Sequence, residues 1–427
     1  MLKKYLYRLL GKYLSFYIGE SASVVEISLF GKLLLKEKTR NCVYKLVSKP
    51  EEISGHNPDF VILNSNVHYE KDIQRFFDKI YENTTSGTRL IIIYYSRLWK
   101  PFIRIATLLN LRNKTPEENW VSHEDIENLL LLTNFEIIRR EAKVIFPIYI
   151  PLLSSFFNRI LGPLPFFRLF SLINIVVARP VNKENNILRT VSIVVPARNE
   201  EGNIEEIVTK LPKFTEDDEL IFVEGNSTDH TWQKIQEVAQ KYCSNRKIIF
   251  AQQDGKGKGN AVRKGFSLAT CDILMIFDAD ITVPPEDLIK FYNAIKDNKG
   301  EFINGSRLVY PMEKRAMRFF NVIGNKFFAQ GFSFTIGQRF KDTLCGTKVI
   351  SRKNYRKLIE NRKYFGEFDP FGDFDLIFGA TKLALKIVEI PIKYRERTYG
   401  STNISRWKHG IILLRMLFFA LRKIKFI

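Results

Sequence analysis

The sequence predicts an α/β protein of two domains, and three observations lead there. Apolar, β-branched runs alternate with helical stretches in both halves of the 427-residue chain, the order expected of parallel sheets. Several runs end in carboxylates, amides or lysines, and open α/β sheets bind ligands at such strand ends. Between the halves lies a polar, proline-bearing junction, Ala-Arg-Pro-Val-Asn-Lys-Glu-Asn-Asn at residues 178–186. The boundaries drawn from these features are 1–180, a linker at 181–188, a second domain at 189–404 and a terminal helix at 405–427. A chain of this length can build a sizeable core in each domain.

In the first half, residues 24–27, 58–64 and 86–94 read as strands, the last entered through a Ser86-Gly87 turn. Residues 70–81 read as a helix between the second and third. Ser122 is placed to cap a further helix, and residues 133–136 begin another strand. Residues 144–177 are rich in Phe, Leu, Ile and Pro, with Arg159 and Arg168 the only charged side chains. The prolines argue against one spanning helix, which leaves a hydrophobic lid, a membrane-contacting surface or a domain–domain interface.

In the second half, residues 189–195 form a β-branched strand stopped by Pro196 and followed by Ala197-Arg198-Asn199-Glu200. A second strand at 219–223 ends in Glu224-Gly225-Asn226-Ser227-Thr228-Asp229. A third at 247–251 leads into Gly255-Lys256-Gly257-Lys258-Gly259-Asn260, which opens a helix and is no Walker loop, because the Lys-Ser/Thr pair is absent. The apolar run 272–277 reads as a buried strand ending at Asp278 and Asp280. Side chains two residues apart converge where a strand frays. Asp280 can therefore hold a hard divalent cation while Asp278 addresses the sugar or base of a nucleotide.

These elements, taken in order with Gly305-Ser306-Arg307, the run from Asp342 to Lys348, and Glu389-Ile390-Pro391-Ile392 followed by Arg397 and Gly400-Ser401, resemble a family 2 glycosyltransferase of GT-A fold. The resemblance is to the polyprenyl-phosphate sugar transferases and covers about half the chain. It implies inverting transfer from a GDP- or UDP-linked sugar with Mg²⁺ or Mn²⁺ held by Asp280 and Asp278. By the same resemblance Glu224 and Asp229 receive the ribose and base, Pro196, Ala197 and Glu200 line the nucleotide pocket, and Lys258 lies near the diphosphate. Arg307, Arg397 and Ser401 fall where an acceptor phosphate is held. Asp375 falls near an acidic position of the family, with Asp373 close enough to exchange places with it. The implied catalytic set is Asp280, Arg307, Asp375 and Arg397, and the implied acceptor a polyprenyl phosphate. A saccharide hydroxyl is the alternative acceptor; it needs a carboxylate base, for which Asp342 and the four acids of residues 365–375 are candidates. A non-catalytic assembly or lipid-binding module is a third reading.

Residues 20–180 resemble a class I S-adenosylmethionine-dependent methyltransferase through Asn64 and His68, the Ser86-Gly87 turn, and Asn134-Phe135-Glu136. Its glycine-rich cofactor loop is replaced by Glu26-Ile27-Ser28-Leu29-Phe30-Gly31-Lys32, in which Leu29 and Phe30 crowd the backbone approach. A degenerate Rossmann-like scaffold that does not bind S-adenosylmethionine is expected, with a bifunctional enzyme as the alternative.

A net charge of +20 draws the chain towards anionic lipid or nucleotide. Nucleic acid is excluded as a partner because no helix-turn-helix, zinc-ligand or RNP signature occurs. Lys314, Arg315, Arg318 and Arg395 add to the cations near the acceptor motifs. Residues 409–427 carry a long apolar face with Arg415, Arg422, Lys423 and Lys425 beside it, read as an amphipathic helix at an anionic membrane surface. The four cysteines show no paired spacing, and residues 1–14 lack the continuous apolar core of a secretory signal. A cytoplasmic protein, peripheral on the inner face of the membrane, is expected.

Overall fold

A computed structural model describes residues 2–19, 21–28, 42–110, 115, 119–183, 190–311, 319–366, 372–397, 399 and 406–427. The chain divides into two compact units, Met1–Asn185 with Arg422–Ile427, and Asn186–Leu421. Each has its own mixed α/β sheet.

The first unit contains β1 (Ser23–Ile27), β2 (Val43–Val47), β3 (Phe60–Asn64), β4 (Arg89–Tyr95), β5 (Phe135–Lys143) and β6 (Ile173–Pro180) in the order β2-β1-β3-β4-β6-β5. Strands β2, β1, β3 and β4 are parallel, whereas β6 runs antiparallel between β4 and β5. The central strands read as nearly continuous apolar runs because helices cover them. Phe76, Phe77 and Ile80 of the helix Ile73–Glu82 and Ile126 and Leu130 of the helix His123–Leu132 bury into one core with Val61, Leu63 and Ile92. Ser122 does cap the latter helix, in a reciprocal box with Asp125.

Two details depart from the sequence reading. Residues 178–180, taken as the start of a polar junction, complete β6 and pair with β5. A register shift between Ile137 and Arg139 then turns Arg139, Glu141 and Lys143 inward together. One irregular step in a strand exchanges its faces, which alternation in the sequence cannot reveal. The buried charges compensate one another: burial works against the charge on Glu141, yet Arg139, Lys143 and Lys425 hold its carboxyl down at about 2.

The second unit contains β7 (Val191–Ala197), β8 (Glu219–Glu224), β9 (Lys247–Gln252), β10 (Ile273–Ile276), β11 (Phe302–Ser306), β12 (Lys348–Ser351) and β13 (Ile387–Pro391), ordered β13-β11-β12-β10-β7-β8-β9. β10, β7, β8 and β9 are parallel, so their carboxyl ends share one edge; Ala197 is level with Glu224 and Glu224 with Gln252. β12 is inserted antiparallel between β10 and β11. Gly257 opens the helix Lys258–Leu268 at φ +84°, a conformation that favours glycine.

The terminal helix, Arg406–Ala420, packs within this unit against the helix Phe319–Ile336, with Leu417 against Gly331. Leu413, Met416, Leu417 and Ala420 are buried, while Ile411, Leu414, Arg415 and Phe418 are exposed. The apolar side chains therefore divide between core and surface, and the separation into one apolar and one basic face expected from the sequence is not what the helix shows. Among the described residues no helix is long and apolar enough to cross a membrane.

The core of the second unit sets its stability. Phe291 is fully buried on the helix Leu288–Lys296, so Phe291→Ala should lower the unfolding free energy by ~3–5 kcal/mol. Urea unfolding followed by tryptophan fluorescence checks this.

Candidate active site

The parallel strand order delivers polar residues to a single edge. β7 stops at Pro196-Ala197, and the chain turns through Asn199 at φ +54° into Glu200. Asn199 holds this turn against the β8 loop, accepting from Thr228 N at 2.8 Å while its own N donates to Ser227 Oγ at 3.0 Å. Glu224, buried at the β8 end, accepts from Ser227 N and from Gln252 Nε2 at 3.2 Å. Asp229 accepts from Thr231 N at 3.0 Å, and Thr231 Oγ1 accepts from Glu200 N at 2.9 Å.

Beyond β10 the two aspartates take different partners. Asp278 pairs with Lys258 Nζ at 2.5 Å. Asp280 Oδ1 accepts from Thr282 Oγ1 at 2.8 Å, and its Oδ2 accepts from Arg397 at 3.2 Å. The same Arg397 nitrogen donates to Glu200 Oε1 at 2.8 Å. One guanidinium thus ties the end of β7 to the end of β10. Tyr399 follows over Gly202, where a Cβ would come 2.7 Å from its ring.

Gly346 closes the site from the β12 side. A Cβ at that position would overlap both Asp278 Oδ2 and Lys258 Nζ. Nearby, Lys348 Nζ lies 3.0 Å from Asp373, at the start of the helix Asp373–Lys382. Gly372 precedes it at φ +76° and abuts Gly259.

These contacts set the protonation states. Burial opposes the charges on Lys258 and Asp278. Asp278 and Asp373 nevertheless hold the Lys258 ammonium above its ordinary range, and Lys258, Lys348 and Arg307 hold Asp278 below the usual carboxylate range. Glu200 behaves oppositely. Burial, with Asp280 and Asp229 adding to it, pushes its carboxyl up to about 7 in spite of Arg397 and Asn203.

Arg307, just past β11, makes a two-pronged pair with Asp342, Nε to Oδ2 at 2.6 Å and Nη2 to Oδ1 at 2.8 Å. Its guanidinium lies 5.2 Å from the Tyr394 ring centroid. Glu389 supports Asp342 from β13, accepting from Lys341 N at 2.8 Å and Asp342 N at 3.1 Å. An open pocket beside Arg307 is lined by Leu308, Lys326, Gln330, Arg339, Phe340 and Lys341.

The structure therefore brings Glu200, Asp278, Asp280, Lys258 and Arg397 together, with Pro196, Ala197, Glu224 and Asp229 along the same edge. Asp375 is placed elsewhere: it pairs with Arg362, and Asp373 is the acid that joins Lys348 and the field of Lys258. Asp342 holds Arg307 and is committed to that ion pair, not poised as a free base. Lys348 and Gly346 were missed by the sequence reading, although both lie inside the quoted motif at 342–348. Ser401, Lys314, Arg315, Arg318 and residues 367–371 lie outside the described residues. Among the described residues no cluster of three or more His, Cys, Asp or Glu is positioned to hold a metal. Glu200 and Asp280 nonetheless converge on one cationic group, and a Mg²⁺ ion arriving with phosphate oxygens needs only one or two carboxylates.

Residues 192–359 match the model for glycosyl transferase family 2. They form a family 2 glycosyltransferase domain. Its seven-stranded mixed sheet is GT-A-like. The family 2 domain is similar to a dolichol-phosphate mannosyltransferase of Pyrococcus furiosus, 36% identical over 28% of this chain and 33% of that protein. It is also similar to a UDP-N-acetylglucosamine–dolichyl-phosphate N-acetylglucosaminyltransferase of Methanococcus voltae, 26% identical over 55% of this chain and 98% of that one. The chain spans one third of the length of the Pyrococcus protein. Among solved structures, glucosyl-3-phosphoglycerate synthase from Mycobacterium tuberculosis superposes on 55% of this chain and 80% of its own at 20% identity, with a TM-score of 0.40.

The position of Glu200 makes the family 2 domain sensitive to pH. A carboxyl raised from 4.5 to about 7 in the folded state contributes stability that is fully present below pH 4.5 and lost as pH rises through 7, because the unfolded chain ionises first. Glu200→Gln should remove that loss and flatten the dependence between pH 4.5 and 7. Thermal unfolding midpoints of both proteins across this range provide the measurement; parallel curves would show that Glu200 does not titrate there.

Proposed function

We propose that this protein transfers a sugar from a nucleotide-diphosphate sugar to a polyprenyl phosphate, with inversion and with a divalent metal. The observation that carries the reading is the pairing of Arg397 with Glu200 and Asp280 beside the Lys258–Asp278 pair. Carboxylates and cations alternate across one strand edge of a family 2 domain. That alternation suits a ligand with a neutral sugar, a polyanionic diphosphate and a metal.

The roles follow from chemistry. Cleaving the sugar–phosphate bond leaves negative charge on the departing nucleoside diphosphate. Lys258, kept protonated by Asp278 and Asp373, supplies a fixed positive charge for it. Asp280, with Glu200, would hold Mg²⁺ or Mn²⁺, which when bound supplies Lewis-acid stabilisation of the same leaving group. Arg397, which donates to both Asp280 Oδ2 and Glu200 Oε1, would lie beside a metal held by these two carboxylates and add positive charge there. Glu224 and Asp229 lie along the same edge, suited to the ribose and base, with Pro196 and Ala197 forming its floor.

The acceptor is placed on the Arg307 side. An acceptor phosphate is already an anion and needs cations instead of a base. Arg307 with Lys326, Arg339 and Lys341 around the neighbouring pocket supports that choice. The dolichyl-phosphate acceptors named for both relatives support it further. Asp373 is the residue that favours the second reading, a saccharide hydroxyl acceptor, since after Asp278 it is the acid that acts most strongly on Lys258; its pairing with Lys348 weighs against a free base.

We read the first unit as a methyltransferase-like scaffold, on the parallel order β2-β1-β3-β4 and on Asn64 and His68 at its carboxyl edge. Glu26, at the end of β1, is fully buried and accepts from the Tyr44 hydroxyl, which supports a scaffold that takes no S-adenosylmethionine. Leu29 and Phe30 lie outside the described residues. A peripheral place at an anionic, inner membrane surface accords with the lipid acceptor and the charge of +20.

Two measurements test the reading. With a panel of GDP- and UDP-sugars, Mn²⁺ and a short polyprenyl phosphate, the protein should form a lipid-linked sugar, and Asp280→Asn should lower kcat by about 100-fold or more with the fold intact. Near-normal turnover of that variant would rule out Asp280 as the metal ligand. Arg307→Lys, chosen because Arg307→Ala strands buried Asp342, keeps the charge but loses the planar fork. It should raise KM for the lipid phosphate several-fold more than KM for the donor. Equal changes in both would make Arg307 a structural partner of Asp342 alone.

A further inference from the structure

The first unit presents apolar side chains that its own core does not use. The helix Lys100–Leu108 has no buried residue, and Phe102, Ile105 and Leu108 recur along it at 62%, 53% and 82% exposure. A helix whose apolar side faces away from its own core has that side available to something else. At its start Trp99 donates from Nε1 to Phe170 O at 2.9 Å, fixing the helix beside a turn where Phe166 and Leu169 are also exposed. Further back, Leu152 stands at 88% exposure with φ +63°, a strained conformation for leucine.

This surface is built, not loose. Asn158, nearly fully buried, accepts from Phe146 N at 2.8 Å and donates to Phe146 O at 2.7 Å and to Tyr5 Oη at 3.2 Å. It anchors the excursion that carries Leu152 to the helix Leu2–Tyr17. The two segments that build the surface carry cations and no acid; Asp125, on the neighbouring helix His123–Leu132, is the carboxylate that faces Arg97. Arg97, Arg104, Arg159 and Arg168 are exposed there, and the sequence contains no Asp or Glu at 83–116 or 142–183.

We propose that this face of the first unit docks onto an anionic lipid bilayer. Leu152, Phe166, Leu169 and the apolar side of the helix Lys100–Leu108 enter the boundary between headgroups and acyl chains, and the arginines meet the headgroup phosphates. An exposed apolar surface also suits a protein partner, but protein surfaces mix charges, and two long segments that carry arginines and no acid complement a sheet of anions better. The inference shares with the lipid-acceptor reading only the presence of a membrane, and a binding assay without sugar donor tests it separately.

The full-length protein is mixed with vesicles of phosphatidylcholine, or of phosphatidylcholine with phosphatidylglycerol, and sedimented. Binding should need phosphatidylglycerol and weaken as salt rises. Leu152→Glu with Phe166→Glu should weaken it about tenfold or more without moving the unfolding midpoint, because both side chains are exposed. Arg104→Glu with Arg168→Glu should do the same while leaving the apolar surface intact. Phe418→Glu, on the exposed side of the helix Arg406–Ala420, is the comparison from the other unit. Loss of binding in that variant alone, or wild-type binding in both first-unit variants, overturns the proposal. So does self-association of the wild-type protein without vesicles that the first-unit substitutions abolish, which would make the face a contact between copies.

Discussion

The family 2 domain depends on neutralising acids that its topology forces together. Parallel strands deliver their carboxyl ends to one edge, and here that edge gathers Glu200, Glu224, Asp278 and Asp280. Left alone, carboxylates so placed would repel one another and pay for lost solvation. Arg397 and Lys258 each take up part of that load, and hydroxyl and amide donors from Thr282, Ser227, Gln252 and Asn203 take up more. Where cations suffice, as at Asp278, the acid stays ionised; where burial exceeds them, as at Glu200, it drifts towards neutral pH. A site of this kind is organised by its own ion pairs and hydrogen bonds, without any ligand.

A second, independent ion pair organises the other side. Asp342 is buried and Arg307 partly exposed above it, and Glu389 of β13 fixes the backbone that carries Asp342. From Glu389 the chain runs on to Arg395, whose N donates to Thr282 O, and then to Arg397. One strand and its continuation therefore support Arg307 through Asp342 and also supply the guanidinium that bridges Glu200 and Asp280. Removing one partner of a pair with a buried carboxylate, such as Arg307–Asp342, costs ~3–5 kcal/mol, so that pair is a structural member as well as a chemical one.

What the sequence disclosed and what it withheld follow from distance along the chain. Features within a few residues were readable: the apolar run before Asp278 and Asp280, the glycine-led start of the helix that carries Lys258, and the Ser122 cap all arise from local spacing. Pairings across many residues were not. Nothing near Arg397 announces Glu200, 197 positions earlier, and nothing near Arg307 announces Asp342. Asp373 and Asp375 lie two apart, and only the tertiary placement of Lys348 and Arg362 separates them. β2 went unread because an edge strand exposed at Val43 carries little apolar signal, and the inward charges of β5 because one register shift reversed its faces.

Gly346 gives this arrangement an unusual experimental handle. Most ways of disturbing an ion pair delete one of its charges and so change the field at every neighbouring group. Because any side chain at 346 would occupy the space of the Lys258–Asp278 contact, alanine there acts as a wedge: it separates the two partners and leaves the charge inventory of the site untouched. The contribution of the pair's geometry is thereby separable from the contribution of its charges.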